Sequence, residues 1–156
     1  MPVFEGQLDP PRGRFAIVAA RFNSTITTRL VDSSRATLLR HDVSEGDIEL
    51  VWVPGSLEIP MVAQRLAASR RYVAVICLSC VIRGGTDHYR YVAGEAARGI
   101  AEAARATGVP VIFGVLTTDT VEQALERTSP TNDAGGRAAE AAIRMANLLA
   151  QLPGPQ

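Results

Sequence analysis

Tyr72-Val-Ala-Val-Ile-Cys-Leu-Ser-Cys-Val-Ile-Arg-Gly-Gly-Thr-Asp-His88 opens as an apolar run of strand length, Tyr72 to Leu78, rich in Val and Ile. Apolarity on consecutive residues means that both faces are covered, the mark of a strand inside a parallel sheet. The chain then passes a glycine pair flanked by Arg83 and Thr86 and presents His88 just before a segment of helical spacing. In that segment Val92, Ala96, Gly99, Ile100, Ala103, Ala104 and Thr107 form one stripe, and Gly108 with Pro110 stops it. Similar runs recur at Phe15 to Ala20, Ile48 to Val53 and Val111 to Leu116. A first helix is expected from near Ser24 to near His41 and a second after Pro60. A short fourth opens with the capping box Thr120-Val-Glu-Gln123, and a last runs from about Gly136 to Leu152. Strand and helix alternate four times. Right-handed crossovers then give a four-stranded parallel sheet in a doubly wound, three-layer α/β/α, flavodoxin-like fold.

The chain has 156 residues, enough for one domain that buries its own core. Lys plus Arg equals Asp plus Glu at 16 each, so no net field favours nucleic acid or an anionic membrane. No apolar run approaches the ~20 residues of a bilayer span. The start, Met-Pro-Val-Phe-Glu-Gly, has neither the basic nor the apolar part of a secretory signal, which places the protein in the cytoplasm. Cys77 and Cys80 form a lone C-x-x-C within or beside the third strand, where residues three apart face opposite ways. Two thiols are too few for a structural zinc, so they read as buried filler and no metal is expected. The first dozen residues and the Pro-Gly-Pro end have no place in the core and are expected to fray in a compact monomer.

Ligands of such sheets sit at the carboxyl ends of the strands. The loops there are Arg21-Phe-Asn-Ser24, Pro54-Gly-Ser-Leu-Glu58, Cys80 to Tyr89 and Thr117-Thr-Asp119. Phe22 offers either a flat platform for a heterocycle or a hydrophobic staple onto the first helix. Glu58 either favours a helix dipole or accepts hydrogen bonds from ligand hydroxyls. In Arg83-Gly84-Gly85-Thr86 unhindered backbone N–H groups can converge on a small anion near a helix N-terminus. His88 beside that turn is a natural general acid or base. His41, by contrast, meets a helix C-terminus and solvent. Arg127 is either a solvated surface arginine or a planar fork for phosphate.

Three blocks, Pro54-Gly-Ser-Leu-Glu-Ile-Pro60, Val81-Ile-Arg-Gly-Gly-Thr-Asp-His88 and Gly114-Val-Leu-Thr-Thr-Asp-Thr-Val-Glu-Gln-Ala-Leu-Glu-Arg127, resemble lumazine synthases, with similarity from about Phe4 to Leu149. The resemblance implies a cofactor-free condensation of 5-amino-6-ribitylaminouracil with 3,4-dihydroxy-2-butanone 4-phosphate. It gives 6,7-dimethyl-8-ribityllumazine, phosphate and water, the penultimate step of riboflavin biosynthesis. By the same resemblance Phe22 stacks on the pyrimidine, while Ser56, Leu57 and Glu58 hold the ribityl chain and ring edge. Cys80, Val81 and Ile82 offer backbone to the uracil, Gly85 and Thr86 form the phosphate turn, and His88 transfers protons. Phe113 and Arg127 close the pocket from a neighbouring subunit, the arginine taking the phosphate. Asn23 and Arg137 are further candidates for the pocket, and riboflavin synthase is a candidate partner.

Departures from the family pattern cluster near these residues. Asp87 stands in place of an uncharged residue and Arg90 in place of an acid, the first favouring a charged His88 and the second opposing it. Arg137 stands in place of a lysine, and Ala138 in place of a frequent glycine. Thr128 to Gly136 is longer than the tight turn of shell-forming members, which points to a pentamer whose N-terminal segments add strands to neighbours. Two rival readings are a flavin- or lumazine-binding homologue without turnover and a purely structural shell protein. A flavodoxin-like electron carrier is disfavoured, because Arg21-Phe-Asn-Ser24 is too poor in Ser, Thr and Gly for a phosphate loop.

Overall fold

The structure, a computed structural model, describes residues 1–154. Four strands, β1 (Arg14–Ala20), β2 (Ile48–Val53), β3 (Tyr72–Ile82) and β4 (Val111–Thr118), form one sheet in the order β2-β1-β3-β4. All three pairings are parallel. Five helices connect or follow them: α1 (Ser24–Arg40), α2 (Ile59–Ala68), α3 (His88–Thr107), α4 (Val121–Glu126) and α5 (Ala134–Gln151). This is the three-layer arrangement that the alternation of apolar runs implies.

The central strand β3 has both faces covered, and from Ala74 onward its side chains divide by alternation. Ala74, Ile76, Leu78 and Cys80 join a core made with α1, α4 and α5, including Leu30, Leu38 and Ile143. Val75, Cys77 and Val81 join a second core made with α2 and α3, including Ile59, Ala63 and Ile100. The two cysteines therefore lie on opposite faces, as a strand period of two requires. β3 extends four residues past the end of the apolar run, because Ser79 to Ile82 pair with Val115 to Thr118 of β4. That extension delivers the chain to the site.

Local chemistry sets the helix boundaries. Thr120 accepts a hydrogen bond from the Gln123 backbone N–H at 3.1 Å and caps α4, as the capping box implies. Asp133 caps α5 by accepting from Gly136 N at 2.9 Å, so the helix begins two residues before Gly136. The same carboxylate accepts from the Ser33 hydroxyl and ties α5 to α1. α2 and α3 approach closely where Gly99 faces Pro60, since a Cβ at Gly99 would stand 2.6 Å from that ring. This contact presses the loop before α2 onto α3. His41 caps the end of α1, with Nε2 3.9 Å from Glu140.

The expectation that the first dozen residues fray is corrected by α5. Arg144 donates to the Gly6 carbonyl at 3.2 Å, Gln151 to the Glu5 carbonyl at 3.1 Å, and Asn147 to the carbonyls of Gln7 and Asp9. Gly6 is buried, and a Cβ there would lie 1.8 Å from the Arg144 carbonyl oxygen. The segment has no apolar periodicity because polar helix side chains hold it by its backbone. Val3 and Phe4, upstream of the clamp, are exposed. At the other end α5 stops at Gln151, and the expected loose terminus falls partly on residues outside those described.

Candidate functional site

A cleft of about 380 Å³ opens at the carboxyl ends of β1, β2 and β3. Three loops build it, and backbone hydrogen bonds tie the first two together. Arg21 N donates to Val53 O at 2.8 Å and Phe22 N to Pro54 O at 3.0 Å. The Arg21 guanidinium also lies 4.1 Å from the centroid of the Trp52 ring, a stacked cation–π contact behind the loop. Asn23 takes a left-handed conformation with φ 60°, which Asn tolerates better than most residues. Its side-chain Nδ2 donates to the Cys80 carbonyl at 2.8 Å, joining this loop to the end of β3. Phe22, between these fixed points, is 73% exposed and borders the cleft. It is not stapled onto α1, and a free aromatic face remains.

The second wall is the single 3-10 turn Ser56–Glu58 before α2. Ser56 is buried and its hydroxyl pairs with that of Ser79 on β3, while Leu57 is half exposed. Glu58 occupies the N-cap position of α2 without a side-chain capping bond. Its Oε2 lies 3.1 Å from where a Gly55 Cβ would stand, so the carboxylate folds over its own loop beside the cleft. Among the described residues that carboxylate accepts no hydrogen bond, which leaves it free for ligand hydroxyls.

Cys80, Val81 and Ile82 form the floor. Burial pushes the Cys80 thiol up to about 11, partly offset by the Arg127 charge and a hydrogen bond with Thr118. Burial alone pushes up the Cys77 thiol. Both sulfurs are enclosed and protonated at neutral pH, which makes them packing groups rather than nucleophiles.

The third wall is the turn from Arg83 into α3. Gly84, Thr86, His88, Tyr89 and Val92 line the cleft, whereas Gly85 does not. Neither glycine has positive φ, and a Cβ on either would meet nothing within 4 Å. The pair therefore serves to leave backbone uncovered rather than to permit the turn. Asp87 at the N-cap of α3 makes no side-chain capping bond, and Thr86 accepts weakly from His88 N at 3.4 Å. His88 is the first residue of α3, exposed at the cleft beside these open amides. Asp87 and Arg90 lie with Tyr91 on a separate depression, and Asp87 forms no ion pair with His88 among the described residues.

Three sequence candidates stand elsewhere in the chain. Arg127 is half-buried, donates to the Thr117 carbonyl at 3.3 Å, and lines a second, polar cleft of about 420 Å³ with Asp119, Gln123, Glu126 and Asn132. Arg137 is exposed on α5 and donates to Asn132 Oδ1 at 3.1 Å. Phe113 lies on the edge strand β4, 47% exposed. One chain thus brings together Phe22, Asn23, Ser56, Leu57, Glu58, Cys80, Val81, Ile82, Thr86 and His88, and leaves Phe113, Arg127 and Arg137 outside that cleft.

Sequence reasoning did not single out Ser79, Tyr89 or Val92. Ser79 carried a weak signal, as a hydroxyl in an otherwise apolar strand. Val92 belongs to the helical stripe and serves both the core and the cleft wall. Among the described residues no three His, Cys, Asp or Glu side chains converge as metal ligands would. A family model described as 6,7-dimethyl-8-ribityllumazine synthase matches residues 12–150.

Proposed function

Because the chain belongs to the 6,7-dimethyl-8-ribityllumazine synthase family, we propose that it catalyses that family's condensation at the Phe22–His88 cleft. 5-Amino-6-ribitylaminouracil and 3,4-dihydroxy-2-butanone 4-phosphate combine to give the ribityllumazine, inorganic phosphate and two molecules of water. The observation that carries this reading is the convergence of a free aromatic face, an unpaired carboxylate and an exposed imidazole beside open helix amides.

The pyrimidine stacks on Phe22, with its ring edge on the backbone at the end of β3 and its ribityl hydroxyls toward Glu58. The phosphorylated ketone places its anion at the Gly85-Thr86 turn, where the α3 amides offer partial positive charge. The pyrimidine's primary amine adds to the ketone and the adduct loses water. All sixteen basic residues of the chain are arginine, so no lysine competes to form a protein-bound imine. Loss of the C3 proton expels phosphate from C4, the resulting enol takes up a proton and becomes a second carbonyl at C3, and the ribityl-bearing nitrogen attacks that carbonyl and closes the ring with loss of water. His88 gives and takes the protons of these steps, an assistance of typically ~10²–10⁴-fold. Holding two substrates in register supplies much of the remainder.

We place the complete site between subunits of a cytoplasmic homopentamer. Phe113 and Arg127 of one copy meet the cleft of the next, with Arg127 on the phosphate and Arg137 nearby. Support comes from the uncovered apolar groups on both sides: Leu57, Met61 and Tyr91 near the cleft, and Phe113 and Val121 at the β4 side. Val3 and Phe4, projected by the α5 clamp, extend as a strand toward a neighbouring sheet. Riboflavin synthase, which consumes the product, is the expected partner in metabolism.

Mixing the two substrates with assembled protein tests the reading, with lumazine absorbance rising as the expected result. Both compounds remaining unreacted at neutral pH would overturn it.

A further inference from the structure

We infer that Ser79, enclosed within β3, is a positioning residue that aims the Ser56 hydroxyl hydrogen into the cleft, where it donates to an oxygen of the ribitylated substrate. The inference rests on the proposed function and extends it to a side-chain contact from Ser56.

The argument is an accounting of hydrogens. Ser56 Oγ and Ser79 Oγ lie 2.5 Å apart, and either can be the donor. Each hydroxyl carries one hydrogen, so one of the two hydrogens is left over from the pair. Ser79 is 0% exposed and makes no other side-chain hydrogen bond among the described residues. Were Ser56 the donor, the unused hydrogen would be sealed inside the α2–α3 core face, beside Cys77 and Val81. A buried donor without a partner is costly. Ser56 is 7% exposed and borders the cleft, so its hydrogen has somewhere to go. Ser79 therefore donates and Ser56 accepts, and the hydrogen that Ser56 retains faces the ligand. A hydroxyl that already accepts one hydrogen bond is also a better donor in the next.

Titration calorimetry with 5-amino-6-ribitylaminouracil tests this on the assembled protein. Ser56→Ala is expected to raise Kd about three- to tenfold, the range of one net hydrogen bond. Ser79→Ala should raise Kd in the same direction with kcat at saturation unchanged. In the Ser56→Ala background it should add nothing, since its effect passes through Ser56. Ser79→Cys leaves no cavity, its group being larger than the hydroxyl, but carries only a weak donor, and must also weaken binding if the loss in Ser79→Ala comes from the missing donor and not from an emptied site. Wild-type affinity in the Ser79 variants, or an equal loss with and without Ser56, overturns the inference alone. Failure of the wild-type protein to bind the pyrimidine overturns the functional reading and this inference with it.

Discussion

Asn23 and Cys80, 57 residues apart in sequence, are joined by a single bond from the Asn23 side-chain amide to the Cys80 carbonyl at 2.8 Å. Asn23 makes this bond from a left-handed backbone, so one residue supplies both the turn and the tie. Asn23→Ala loses the hydrogen bond, a net ~0.5–1.5 kcal/mol, and places alanine at positive φ, a further ~1–2 kcal/mol. The melting temperature is expected to fall by several degrees. Asn23→Gly keeps the conformation and loses only the bond, so differential scanning should place it between the two. A ranking with glycine below alanine would show that the left-handed backbone is not the cause.

His88→Ala should slow lumazine formation ~10²–10⁴-fold yet leave turnover above the uncatalysed rate, because substrate alignment survives. Steady-state assays at neutral pH measure this directly. An unchanged rate would remove His88 from the proton steps.

Phe22→Ala should raise KM for the pyrimidine and Arg127→Ala that for the phosphorylated ketone, each by about tenfold or more, as truncation of an aromatic platform or a phosphate fork does. The two variants lie in different clefts of one chain. Co-assembled after mixed refolding, they should regain part of the wild-type activity, since some junctions then pair an intact Phe22 with an intact Arg127. No regain would argue against a site shared between copies.

The Tyr72 hydroxyl donates to Glu49, and this bond, helped by Arg14 and Arg71, holds the carboxyl below its ordinary range. The same bond raises the Tyr72 phenol. A depressed carboxyl contributes stability that is present above its unfolded value of ~4.3 and lost as pH falls through the folded one. A raised phenol contributes stability that is present below ~10 and lost as pH rises through its folded value. Tyr72→Phe should therefore flatten the alkaline fall in melting temperature and soften the acid one. Thermal scans from pH 3 to 11 give both limbs.

Cys80 is 1% exposed, with its thiol pushed up to about 11. Thiol reagents at pH 8 should leave both cysteines of the native protein unmodified for hours and label both at once in denaturant. Rapid native labelling of Cys80 would show that the cleft floor opens.

The sheet was legible because β1 and β3 are buried on both faces and the edge strands β2 and β4 are still mostly Val, Ile and Leu, which writes apolar runs, and the capping box wrote the start of α4 directly. The N-terminal segment was not legible, because what the α5 side chains hold are its carbonyl oxygens, which every residue carries alike. Phe22 carried two balanced readings until its exposure was known. Glu58 looked like a dipole residue until its carboxylate was found uncommitted. The candidates Phe113, Arg127 and Arg137 stand apart from the cleft within one chain, because their motifs do not set that distance. Ser79 escaped notice because a lone hydroxyl in a strand has no pattern of its own.

The α5 clamp grips the first residues through the oxygens of Glu5, Gly6, Gln7 and Asp9, and among these only Gly6 is crowded at the Cβ position. The leading segment is thus an interchangeable module. Its letters can drift, or be rewritten by an engineer grafting a new leading peptide, provided one glycine keeps its station opposite Arg144 and an apolar side chain stays at Leu8, which packs against the core.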